Sequence, residues 1–178
     1  MFEHDYTLTG KHATYLKQLA KDKENKNRPY IFDRYIDVYM NAAIFGLLYG
    51  RTAEKDNESK DRARVYADAF ATERENCTFL YRLAMLIDKT IAVSPEERVD
   101  RAFRDDADEK SKDKLAQNMG LFNSYVLGGI EVLYEKFRDS LITTDDCITC
   151  AYKLMKDFIE EIQGISYEEK LSELMKQL

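Results

Sequence analysis

The apolar residues of this chain recur at helical spacing over most of its length. Between Lys112 and Asp139, the residues Leu115, Met119, Phe122, Val126, Ile130, Leu133 and Phe137 follow one another at steps of 4, 3, 4, 4, 3 and 4. That rhythm places them on one face of an α-helix, a rod about 42 Å long at about 1.5 Å per residue. The same spacing predicts a helix over 11–22 behind a Thr9 cap, with Ala13, Leu16, Leu19 and Ala20 on one face. A helix over 33–49 is amphipathic at first (Tyr35, Val38, Tyr39, Ala42) and then apolar all round, which marks a central core element, with Gly50 at its C-terminus. Further helices are predicted over 72–89 and after Ser94-Pro95-Glu96-Glu97, a capping box with proline at the first helical position. Thr143 or Thr144 opens another helix that ends at Gly164, and the capping box Ser166-Tyr167-Glu168-Glu169 opens a last one to Leu178.

The segment 65–70 reads equally well as a short extended stretch or a helix start, and 1–10 and the charged run 51–63 read as loops. No linker or repeat divides the chain. The expectation is an all-α fold, one helical domain over 1–178 with six or seven helices. Two prolines and seven glycines support it, because sandwiches and barrels need frequent turns.

Charge narrows the function classes. The 27 Lys and Arg against 33 Asp and Glu give a net charge of −6, so nucleic-acid binding is disfavoured and would need a local basic patch. The candidates for such phosphate contacts are Arg51, Lys55, Lys60, Arg62 and Arg64, interleaved with Glu54, Asp56, Glu58 and Asp61. The longest apolar stretch, Val38 to Tyr49, is too short for a membrane span and contains Asn41. An acidic N-terminus without an apolar run, and three cysteines, lead us to expect a cytoplasmic protein.

Few residues offer chemistry. The two histidines, His4 and His12, read as exposed terminal residues, and no metal or other cofactor is expected. Cys147-x-x-Cys150 opens a helix but follows Asp145 and Asp146, which oppose thiolate formation, so a structural role is expected. Helical acid pairs such as Glu131/Glu135 or Asp157/Glu161 have the spacing to hold a divalent cation, which keeps a metal-dependent nucleotide or nucleic-acid hydrolase as a third reading. The glycines say more, since each costs about 1 kcal/mol against alanine inside a helix. Gly129 borders the apolar stripe of the long helix and should meet the small Ala42/Gly46 stripe of the second helix. Gly120, Ser124 and Gly128 lie on the opposite, polar face and are the candidate docking stripe for a partner protein.

Two runs carry a family resemblance. Ile36-Asp37-Val38-Tyr39-Met40-Asn41-Ala42-Ala43-Ile44-Phe45-Gly46-Leu47-Leu48-Tyr49-Gly50-Arg51 and Ser124-Tyr125-Val126-Leu127-Gly128-Gly129-Ile130-Glu131-Val132-Leu133 resemble two hallmarks of the small dnd-system-associated proteins, over about residues 11–139. The resemblance implies a setting, defence against foreign DNA beside bacterial DNA phosphorothioation systems, and no catalytic residues. The expectation is therefore a non-catalytic accessory subunit that binds other proteins, ahead of a nucleic-acid-binding module.

Overall fold

The computed structural model describes residues 1–21, 25, 27–106 and 111–163. Among them the helical periodicity becomes seven α-helices: α1 (Gly10–Leu19), α2 (Tyr35–Leu48), α3 (Ala67–Thr72), α4 (Arg74–Ile87), α5 (Pro95–Phe103), α6 (Lys112–Phe137) and α7 (Thr144–Gln163). Two short strands, β1 (Tyr6–Thr9) and β2 (Arg62–Val65), complete the fold. The helix expected over 166–178 lies outside the described residues.

Backbone contact between α2 and α6 is the centre of the molecule. A Cβ added to Gly129 would stand 1.7 Å from the carbonyl oxygen of Ala42, and one on Gly46 would stand 2.0 Å from that of Tyr125. Only hydrogen fits at either position, so the small stripes of both helices meet as expected and the main chains touch. Residues Tyr125–Leu133 are buried without a break, because α6 has neighbours on its far side too. There Gly128 lies under the backbone of Arg51 and Thr52, and the Ala53 amide donates to the Ser124 carbonyl at 2.9 Å.

Residues 1–10 are not a loose leader. Tyr6–Thr9 pairs antiparallel with Arg62–Val65, Tyr6 opposite Val65 and Thr9 opposite Arg62. Leu8, Ala63 and Val65 turn inward while their neighbours face outward, the period-two pattern of a half-buried strand. Of the two readings of 65–70 the helical one holds from Ala67 onward, as α3, and the extended segment lies earlier, at 62–65. Phe2 reaches the core, its ring 5.5 Å from Phe70 and 6.0 Å from Phe122. Tyr39 and Tyr81 join this aromatic cluster edge-on, the favoured geometry for ring quadrupoles.

Polar bonds fix the outer helices. Ser94 Oγ accepts the Glu97 amide at 3.1 Å, which starts α5 as the capping box predicts. A buried network then ties α4 and α5 to α6. Tyr81 donates to the Arg101 carbonyl at 3.0 Å, Arg101 Nε to Asn118 at 3.0 Å, Asn118 to Asp105 at 2.9 Å, and Tyr125 to Asp88 at 2.7 Å. Thr143 caps α7 by accepting the Asp146 amide at 3.1 Å. Cys147 and Cys150 sit at its base, their thiols 3.2 Å from the Ser140 carbonyl and 3.5 Å from that of Lys136.

Candidate functional site

A charged cluster surrounds Glu131 on the far side of α6. Its Oε1 accepts from Lys11 Nζ at 2.9 Å and from His12 Nε2 at 3.0 Å, and its Oε2 accepts from Arg51 Nη2 at 2.8 Å. The other arm of the Arg51 guanidinium binds Glu135 at 2.7 Å. Asp56 adds a carboxylate that accepts the Lys11 amide at 2.6 Å. Burial alone would raise the pKa of Glu131, but the hydrogen bonds from Lys11 and His12 outweigh it and hold the acid below its ordinary value. His12 is completely buried, and burial pushes its pKa below 6.5 against the opposing pull of Glu131. A neutral ring with the proton on Nε2 satisfies the bond to Glu131, and it leaves Nδ1 buried without a partner. This cluster clamps α1, the 51–56 segment and α6 together.

Several expectations change here. His12 is not an exposed terminal residue, although His4 is exposed. The signal was present, because His12, Leu16 and Leu19 stand at steps of 4 and 3 on one face of α1. The Glu131/Glu135 pair already holds a cation, the guanidinium of Arg51. Gly120, Ser124 and Gly128 do not form one open stripe. Gly128 is covered by the chain's own Arg51–Thr52 backbone and Ser124 is half-buried, whereas a Cβ on Gly120 would meet nothing within 4 Å. The sequence could not reveal this cover, because the 51–56 segment reaches α6 only through the tertiary fold.

The five basic residues separate as well. Arg51 is held in the clamp, Lys55 lies over the Tyr6 ring at 5.6 Å from its centroid, and Lys60 is exposed. Arg62 and Arg64 instead line a groove of about 1200 Å³ between α1, α2 and β2, beside Lys17, Lys21, Arg28 and Arg34. Burial and then Asp146 raise the pKa of Cys147 above 9.0, which opposes thiolate formation there.

A second groove, of about 480 Å³, is mostly apolar. Phe79, Leu83 and Leu86 from α4 and Phe103 from α5 form its walls, with Arg74 and Arg82 at its lips. Phe79 is 65% exposed and Phe103 46% exposed, with the Arg82 guanidinium 5.2 Å from the Phe103 ring centre. Nearby on the same helices Ile87 and Val99 are also exposed. Phe79, Leu83, Leu86 and Ile87 recur at helical spacing along α4, yet packing leaves Phe79, Leu86 and Ile87 exposed. No described helix is long and apolar enough to cross a membrane. No protein-family model, curated protein or solved structure matches the chain.

Proposed function

We propose that this chain is a non-catalytic accessory subunit that docks another protein, and that the groove between α4 and α5 receives an apolar helix of that partner. The observation that carries the reading is the set of large apolar side chains left in water around this groove, Phe79 and Phe103 foremost. Contiguous exposed apolar surface marks interaction sites, and aromatic residues in a concavity are the usual anchors. Arg74 and Arg82 at the lips favour a partner helix with acidic residues flanking its apolar stripe. The buried bonds of Arg101, Asn118 and Tyr125 hold α4 and α5 rigidly to α6, so the groove is formed before the partner arrives. The resemblance to the dnd-system-associated proteins suggests a phage-defence assembly as the setting.

Co-expression with each protein encoded beside its gene, followed by size-exclusion chromatography, tests the reading. A stable complex should form with one of them and be lost in Phe79→Asp, whose melting curve should match wild type because the side chain is exposed. A complex untouched by Phe79→Asp and Phe103→Asp, or a groove occupied by a second copy of this chain in light scattering, overturns it.

A further inference from the structure

We propose that the groove between α1, α2 and β2 binds single-stranded nucleic acid by its phosphodiester backbone. Its walls carry Lys17, Lys21, Arg28, Arg34, Arg62 and Arg64, whereas Asp33 is the one carboxylate among the described lining residues. In a chain of net charge −6, this concavity gathers six cations, with Asp5, Asp37, Asp61 and Glu73 beside them just outside its lining. Most of these cations have acidic partners, and the geometry of the pairs decides what a ligand meets. Arg34 bonds Asp37 at 2.6 Å and Glu73 at 2.8 Å, with its own side chain 51% exposed and theirs 21% and 16%. Arg64 pairs with Asp5 at 3.3 Å and is again the more exposed member. These acids orient guanidinium groups that remain about half-exposed; on Arg34 the bonds use Nε and Nη2 and leave Nη1 for a ligand. Arg62 is held by main-chain carbonyls, those of Ser59 at 3.1 Å and Asp61 at 2.7 Å, and its amide donates to the Asp61 carboxylate at 3.0 Å.

Guanidinium groups fixed in this way suit phosphate oxygens, which they bind through paired N–H donors. Tyr35 and Tyr66 lie in the same walls, and Tyr66 is exposed. Cations that track a backbone beside aromatic faces on which bases stack are the general means of holding a single strand without reading its sequence. A flexible single strand can follow such a concavity with its phosphates on the cations and its bases on the rings. Lys17 with Asp61 and Lys21 with Asp33 at 3.5 Å lower the net field, so the affinity expected is modest and comes from contact rather than long-range steering. This site is separate from the α4/α5 groove, and each stands or falls without the other.

Fluorescence anisotropy with labelled oligo-dT, oligo-U and a mixed-sequence duplex tests the proposal at low and moderate salt. Both single strands should bind at micromolar concentration, with log Kd rising against log salt by about 0.7 per phosphate contacted. Preference between them identifies DNA or RNA as the natural source of the phosphodiester. Arg62→Glu combined with Arg64→Glu should weaken binding at least tenfold, and Tyr66→Ala severalfold, while Lys153→Glu on α7 stays within twofold. Tyr66→Ala keeps the test valid if the double variant fails to fold. Absence of binding at low salt, tighter binding of the duplex than of either strand, or equal loss in Lys153→Glu overturns it.

Discussion

Glycine positions in α2 and α6 have opposite consequences that follow from single distances. A methyl group at Gly129 or Gly46 would overlap a carbonyl oxygen of the partner helix, and neither backbone can yield without separating the helices. Gly129→Ala and Gly46→Ala should each destabilise by about 3 kcal/mol, at the upper end for overpacking, measured by urea unfolding. Gly120 sits in the same helix with open space around it, so Gly120→Ala should stabilise by about 1 kcal/mol. At Glu131 the relevant term is charge. Glu131→Gln keeps the Oε1 acceptor shared by His12 and Lys11 but loses the charge and the acceptor for Arg51, and Glu131→Ala abandons all three. The alanine variant should lose about 2 kcal/mol and the glutamine variant less. His12 adds a pH dependence. Burial holds its folded pKa below 6.5, so the unfolded chain takes up the proton more readily. The contribution of neutral His12 is complete above about pH 6.5 and declines as pH falls below it. Glu131, also depressed, acts in the same direction below about pH 4.5. Unfolding free energy should fall between pH 7 and 5 in wild type, and this slope should flatten in His12→Gln.

At the scale of elements, local chemistry and packing contribute separately. α5 begins where Ser94, Pro95 and Glu97 say it should, and Ser94→Ala should cost about 1 kcal/mol by removing the acceptor of the Glu97 amide. α7 also begins at its predicted cap, but its apolar stripe is not covered in the same way. Cys147 is buried and Leu154 half-buried, yet Ile148, Tyr152, Met155 and Ile159 face outward at steps of 4, 3 and 4. β1 shows the reverse. Tyr6-Thr7-Leu8-Thr9 is a short alternating run of strand-favouring residues that is stable because it has β2 beside it and α1 directly after it. Gly10 makes that junction, with φ at +62° and Asp56 packed where a side chain would stand.

For the whole molecule, α6 is the axis around which everything else is arranged. Its middle is closed on one face by α2, on another by Lys11, His12 and the 51–53 segment, and the Arg101–Asn118 network closes its N-terminal half. Amide hydrogen exchange should therefore find the slowest amides in Tyr125–Leu133 and in the Val38–Gly46 part of α2, opening only with global unfolding. Amides of α7 beyond Leu154 should exchange orders of magnitude faster, because local opening there exposes little that was buried. Uniform protection along α7 and α6 would contradict this picture.

The helical class, the extent of α6, the caps of α5 and α7 and the meeting of Gly129 with Ala42 and Gly46 were all legible in one dimension. Each depends on residues within a few turns of one another, or on a glycine whose cost needs a nearby backbone to offset it. The tertiary structure decided which helix faces stay in water and which polar residues are enclosed. Phe79 and Phe103 have core-like spacing and are exposed, because α4 and α5 bury their other faces against each other and α6. His12 looked terminal and is enclosed, because Arg51 and Glu131, distant along the chain, close over it. The basic groove unites Lys17 with Arg64 across 47 positions for the same reason. Periodicity states that a face is apolar or charged, but only the packed chain determines what that face meets, since burial is a property of neighbours and not of the residue itself.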